Sequence, residues 1–147
     1  MHGFRSMILE APIDAVWAAV RAFDGVVNWN PGVSGASLEN GGPTSTGTIR
    51  KLDILDGTVF RETLLAHSDL DHFYTYDILD SPLPVSSYIA THRFLPITHT
   101  DQTLGIWEGW FDCAPAAADE MARVVGDAIY IGGMRGLHAY LKDTAHG

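Results

Sequence analysis

The hydrophobic pattern divides this chain into a β-rich middle and a helical end, and no other feature of the sequence limits the fold as strongly. Between residues 33 and 113, short runs of strand-forming residues are separated by turn signals. Together with a short run near the N-terminus, the predicted strands are Ser6–Glu10, Val33–Glu39, Gly47–Leu55, Thr58–Ala66, Phe73–Leu79, Ser86–Leu95 and Thr103–Cys113. From Ala116 to Lys142, apolar residues recur at helical spacing, which predicts one helix roughly 40 Å long.

A second helical pattern follows the first predicted strand. Its apolar positions recur three and four residues apart, with Pro12 near the first turn and Gly25 after the last. One more helical turn is predicted before Pro31. The order of elements therefore predicts an α+β fold, in which a curved antiparallel sheet of seven strands packs against the long C-terminal helix and two short helices follow the first strand.

The composition narrows the classes of function. With 147 residues, of which 46% are hydrophobic and 18% charged, we expect one folded domain over residues 1–147. The net charge of -9 argues against nucleic acid and against anionic membranes as partners. Cys113 is the single cysteine, and neither a signal-peptide pattern nor a long apolar run occurs, so we expect a cytoplasmic protein. No motif for a metal or another cofactor is present, and we expect none.

Five segments, taken in order, carry a resemblance to a known family. They are APIDAVW at 11–17, WNP at 29–31, RETLL at 61–65, YDILDSPLPV at 76–85 and WEGWF at 107–111. Together they resemble the START-like helix-grip superfamily, SRPBCC, in its polyketide cyclase/dehydrase and abscisic-acid-receptor-like branch. The resemblance implies a curved seven-stranded sheet that grips the C-terminal helix around a hydrophobic cavity. It leaves the chemistry open, because members bind lipids, hormones or polyketides and only some are catalytic.

Strand alternation assigns side chains to the two faces of the sheet, and the resemblance indicates which face is concave. One helix cannot fill the concave face of a seven-stranded sheet, so we expect a cavity between them. The predicted ligand-binding residues are Arg50, Leu52, Ile54, Phe60, Glu62, Tyr76, Tyr88, Ala90, His92, Trp107, Val125, Ile129 and Gly133.

Arg50 and Glu62 are the charged members of this set. They lie on consecutive strands joined by the Asp56-Gly57 turn, so they can face each other across the hairpin. Two interpretations stay open. The pair is either a partly exposed salt bridge that contributes little, or a buried pair that can meet a polar group of a ligand.

Tyr76, Tyr88 and His92 place hydroxyl and imidazole groups on an apolar wall, where they either orient a ligand or simply pack in the core. The candidate catalytic residues are Glu62 and His92. Either could take a proton from an activated carbon while a tyrosine hydroxyl polarises a neighbouring carbonyl.

Three functions are compatible with this sequence. The leading hypothesis is the binding of a small hydrophobic or aromatic metabolite in the cavity, without a cofactor. The alternative is an enzyme of the polyketide cyclase or dehydratase type that uses the same cavity. The third is a partner-binding module that uses the outer face of the sheet. Trp107 and Trp110 lie three apart on one strand and face opposite sides, and an outward Trp110 beside Ile106 would favour a homodimer.

Two loops are predicted to lie at the mouth of the cavity. The loops at Asp56-Gly57 and 81–84 resemble those that flank the cavity mouth in the hormone-receptor branch, although the first lacks that branch's Gly-Leu-Pro gate element.

Three glycines within the C-terminal helix are interpreted as points of close approach to the sheet. They are Gly132, Gly133 and Gly136.

Overall fold

One curved sheet of seven antiparallel strands forms the framework of the protein. The computed structural model describes residues 1–145. The strands are β1 (His2–Leu9), β2 (Val33–Glu39), β3 (Ile49–Ile54), β4 (Val59–Ser68), β5 (Phe73–Asp80), β6 (Ser86–Ile97) and β7 (Gln102–Asp112). Their order is β1-β7-β6-β5-β4-β3-β2, so strands β2 to β7 pair with their neighbours in sequence and β1 completes the sheet beside β7. The predicted α+β helix-grip fold is confirmed.

Strand β1 begins earlier than the predicted Ser6–Glu10. It pairs with β7 along its whole length, from His2 opposite Trp110 to Leu9 opposite Thr103. Its first seven side chains are only half-buried or exposed, so the strand lacks a strong apolar pattern at its start. Backbone hydrogen bonds to β7 hold this segment extended, and such long-range pairing has no local signal in the sequence.

Two short helices connect β1 to β2, as predicted. They are α1 (Ile13–Val20) and α2 (Val26–Trp29), with a 3-10 turn between them at Phe23–Gly25. α1 begins directly after Pro12. Proline has no backbone N–H, and at the start of a helix this costs no hydrogen bond, because the first N–H groups have no acceptor within the helix. The indole of Trp17 donates a hydrogen bond of 2.8 Å to Asp69, which ties α1 to the turn between β4 and β5.

The C-terminal helix spans residues 118–145 in three parts. They are α3 (Ala118–Arg123), a π-helical segment (Val124–Ile131) and α4 (Gly132–Ala145). The predicted helix is confirmed in its extent, but the sequence does not predict the wider turns, because a π segment within a helix disturbs the average apolar spacing too little. Such wide turns are frequent at functional sites. Here they lie beside the concave face of the sheet.

The outer face of the sheet carries exposed apolar side chains. Trp107 is 3% exposed and Trp110 is 49% exposed, so the two indoles face opposite sides as predicted. The Trp110 ring stacks on His2 with 4.8 Å between ring centroids. Self-association through Trp110 stays a prediction, which sedimentation at increasing protein concentration can test. Within residues 1–145, no helix is long and apolar enough to cross a membrane.

Candidate functional site

A cavity of about 360 Å³ lies between the concave face of the sheet, α2 and the π-helical segment. Its volume is near the lower end of the roughly 300–1,000 Å³ that is typical of small-molecule sites. The wall is largely aliphatic and aromatic. Nine of the residues predicted from the sequence line it, namely Arg50, Leu52, Ile54, Phe60, Glu62, Tyr76, Tyr88, Trp107 and Ile129.

Arg50 and Glu62 form a buried ion pair on the sheet side of this cavity. They are directly opposite each other in the ladder between β3 and β4. Arg50 Nε donates to Glu62 Oε1 over 2.8 Å, and the two side chains are 3% and 6% exposed. Of the two interpretations from the sequence, the buried pair is therefore the one found. A second guanidinium nitrogen, Nη1, donates to the carbonyl oxygen of Phe23 over 2.9 Å.

Burial affects the charge of both partners. For Glu62, burial raises the pKa, and the Arg50 guanidinium opposes this shift. For Arg50, burial acts against the charged form, but the Glu62 carboxylate and the Tyr74 and Tyr76 hydroxyls outweigh it and raise the pKa of the guanidinium. The carboxyl group of Glu62 is therefore a more basic group than an exposed glutamate, and it lies at the cavity wall.

Two hydrogen bonds orient the aromatic hydroxyls near the cavity. The indole Nε1 of Trp107 donates to the Tyr76 hydroxyl oxygen over 3.0 Å. The hydroxyls of Tyr88 and Tyr130 bond to each other, which links β6 to the π-helical segment. Burial raises the pKa of both Tyr76 and Tyr88 well above the ordinary value, so both hydroxyls keep their protons and can donate hydrogen bonds.

Four predicted residues lie outside the cavity wall: Ala90, His92, Val125 and Gly133. His92 is fully buried behind Trp107, whose ring stacks on it with 4.1 Å between centroids. Gly133 also lies close to Trp107, since a Cβ added there would be 2.8 Å from its ring. Strand alternation assigns His92 to the correct face of the sheet. It does not show how far His92 lies from the cavity, because the large Trp107 ring packs against His92 and lines the cavity in its place.

His92 is held as a neutral ring. Neither of its ring nitrogens has a hydrogen-bond partner within residues 1–145. The aromatic rings around it belong to Trp29, Tyr74, Phe94 and Trp107. Burial, with the nearby charge of Arg50 acting in the same direction, lowers the pKa of His92 well below its ordinary value.

Acid is therefore expected to destabilise the fold through His92. An unfolded His92 takes up a proton near its ordinary pKa of about 6.5, which the folded ring does not, so the free energy of unfolding falls as the pH drops. This contribution reaches up to about 2 kcal/mol between pH 6.5 and pH 5. His92→Phe keeps a planar ring and cannot titrate, so it should flatten the pH dependence of urea unfolding in that window.

The matched control for this variant is His99→Phe, which makes the same change in an exposed turn. It should leave the slope of stability against pH as it is in the unmodified protein. An unchanged slope in His92→Phe would contradict the assignment of the acid sensitivity to His92.

Sequence reasoning missed wall residues on α2, in the loops and on the wider helical turns, together with Val33 on β2 and Ile78 on β5. They are Val26, Asn30, Gly32, Val33, Asp56, Thr58, Ile78, Pro82, Leu83, Val124 and Ala128. Ile78 follows Tyr76 by two residues on β5, so strand alternation was an available signal for it. The resemblance of the Asp56-Gly57 and 81–84 loops to mouth loops was the available signal for three of the others, namely Asp56, Pro82 and Leu83. In the part of the chain that the structure describes, no group of three or more His, Cys, Asp or Glu residues is arranged to hold a metal ion.

Comparisons with known proteins agree with this architecture. The family model described as "Polyketide cyclase / dehydrase and lipid transport" matches residues 4–142. No curated protein matches the chain. Protein XoxI from Bacillus cereus is 27% identical, with 99% of each chain covered and a TM-score of 0.88. An uncharacterised protein from Bacillus thuringiensis is 29% identical, with 96% of this chain and 99% of that chain covered and a TM-score of 0.86. A Thermobifida fusca protein is 27% identical, with 96% and 93% covered and a TM-score of 0.85.

Proposed function

Because the chain belongs to the polyketide cyclase/dehydrase and lipid transport family, we propose that it binds a small apolar or aromatic molecule in the cavity between the sheet and the C-terminal helix. The observation that carries this proposal is the cavity itself, with its apolar wall and a few buried polar groups. Sites of this composition gain affinity from apolar burial and orientation from the polar groups. Cytoplasmic location remains a prediction from the sequence.

A larger side chain on the π-helical segment, placed so that it fills the cavity, tests the proposal. Ala128 lines the cavity but is exposed, so a larger side chain there can reach the cavity space without entering the packed core. We expect Ala128→Trp to weaken the binding of 2-acetylnaphthalene, a neutral two-ring ketone, by at least about tenfold, which is a loss of about 1.4 kcal/mol. Fluorescence titration or calorimetry measures the affinity.

Ala122→Trp is the matched control, since Ala122 is also exposed and lies on α3 outside the cavity wall. This variant should bind the ketone as well as the unmodified protein does. Equal binding by both variants would place the ketone outside the cavity. Native mass spectrometry of the purified protein adds a search for a co-purifying small molecule.

Catalysis of a cyclase or dehydratase type is the second candidate, and the position of Glu62 favours it. Burial raises the pKa of this carboxyl group at the cavity wall, and Tyr76 lines the same wall. In such a reaction Glu62 would take a proton from the carbon next to a carbonyl, and Tyr76 would donate a hydrogen bond to the carbonyl oxygen. His92 has no place in this scheme, because it lies outside the wall. A co-purified molecule that changes in mass during incubation would favour catalysis over binding alone.

A further inference from the structure

The single cationic side chain at the cavity wall is already engaged by the protein. Arg50 donates from Nε to Glu62 and from Nη1 to the Phe23 carbonyl. Its guanidinium also lies over the Phe23 ring, 4.1 Å from the centroid, and 5.0 Å from that of Tyr76. The charge of this guanidinium is already balanced by the buried Glu62 carboxylate, so it attracts a second anion less strongly than an unpaired guanidinium would.

The other charged groups at the wall are negative. Besides Arg50, the charged lining residues are Glu62 and Asp56. Hydrogen bonds from the hydroxyl and the backbone N–H of Thr58 lower the pKa of Asp56, which keeps that carboxylate ionised. One positive and two negative charges leave the wall net negative, in a chain whose formal charge is -9. An anionic guest would therefore lose its hydration without gaining a counter-ion.

Hydrogen-bond donors for a neutral oxygen are available instead. The Tyr76 oxygen accepts from Trp107, and this bond does not use the hydroxyl hydrogen of Tyr76. In the bond between Tyr88 and Tyr130, one hydroxyl hydrogen is used and the other is not. Tyr76 and Tyr88 both line the cavity. Tyr76 can therefore donate to a carbonyl or hydroxyl oxygen on a ring-sized apolar guest, and Tyr88 can do so when Tyr130 is the donor in the bond between them.

From these contacts we propose that the cavity selects neutral ring compounds carrying a carbonyl or hydroxyl oxygen and rejects carboxylates and phosphates, with Arg50 serving as a structural cation and not as an anion receptor. The proposal rests on the proposed binding function and specifies its ligand class. Rejection of anions by built-in negative charge is a common route to specificity.

Two probes of the same ring size test the proposal at pH 8. One is 2-acetylnaphthalene, which is neutral, and the other is 2-naphthoate, which carries a carboxylate. We expect the ketone to bind at least about tenfold more tightly than the naphthoate. If both bind equally, or the naphthoate binds more tightly, the selectivity proposal is overturned while the binding function stands. If neither binds, the binding function fails for guests of this size, and the selectivity proposal fails with it.

Glu62→Gln should reduce or abolish the preference for the ketone. Glutamine keeps the size of the side chain and an oxygen for Arg50 Nε, but it leaves the guanidinium without a counter-charge. We expect this variant to bind 2-naphthoate at least about tenfold more tightly than the unmodified protein does. Since loss of a buried charge can impair folding, Asp56→Asn at an exposed turn is the second variant, with a smaller gain in naphthoate affinity. No gain in either variant would overturn the assignment of the selectivity to these carboxylates.

Discussion

Arg50→Met is expected to destabilise the fold by about 3–5 kcal/mol, because it leaves the Glu62 carboxylate buried without its partner. Both side chains are nearly inaccessible, at 3% and 6% exposed. The substitution also removes the hydrogen bond from Nη1 to the Phe23 carbonyl. Methionine preserves much of the aliphatic volume, so the loss arises mainly from charge and hydrogen bonding and not from a cavity. Urea unfolding at pH 7 measures the change.

The double variant Arg50→Met/Glu62→Leu is the control. It removes both charges, so it should recover most of the stability that the single variant loses. The deficit of Arg50→Met should also shrink as the pH falls towards about 4.5. Burial raises the pKa of Glu62 above its unfolded value, so acid protonates the folded carboxyl group first and removes the penalty of its charge. A double variant as unstable as the single one would contradict this account.

The sequence predicts the sheet well because its information is local. Each hairpin from β2 to β7 joins neighbours in the chain, and turn residues mark its ends, as at Gly57 with a φ of +89°. The start of β1 is different. Its partner β7 lies about a hundred residues away in sequence, and nothing in residues 2–5 signals that pairing. The π-helical segment escapes prediction for another reason, since apolar spacing reports an average helical turn and not its hydrogen-bond register.

The site is predictable only where strand alternation decides the outcome. Alternation places Arg50, Glu62, Tyr76 and Tyr88 on the concave face, and the structure brings all four to one cavity. It does not show how α2 and the loops close the cavity, because that depends on contacts between distant segments. It also does not show that Trp107 separates His92 from the cavity, because alternation reports the face on which a side chain lies and not its distance from the cavity.

The glycines of the C-terminal helix lead to the other large expected effect. A Cβ at Gly136 would lie 2.6 Å from the carbonyl oxygen of Trp29 and would also overlap the ring of Pro31. Neither group is the flexible end of a side chain, so the helix or α2 must shift. We expect Gly136→Ala to destabilise the fold by about 2–3 kcal/mol, even after the roughly 1 kcal/mol that alanine gains over glycine in a helix.

Gly132→Ala makes the same change four residues earlier in the same helix, where the nearest atom to an added Cβ is 3.7 Å away. This variant should gain about 0.5–1 kcal/mol, because alanine restricts the unfolded chain and nothing obstructs it in the fold. The two urea midpoints should therefore move in opposite directions. Stabilisation by both substitutions would show that the helix does not depend on glycine to approach α2. Destabilisation by both would mean that alanine is unfavourable in this helix for a reason other than that contact.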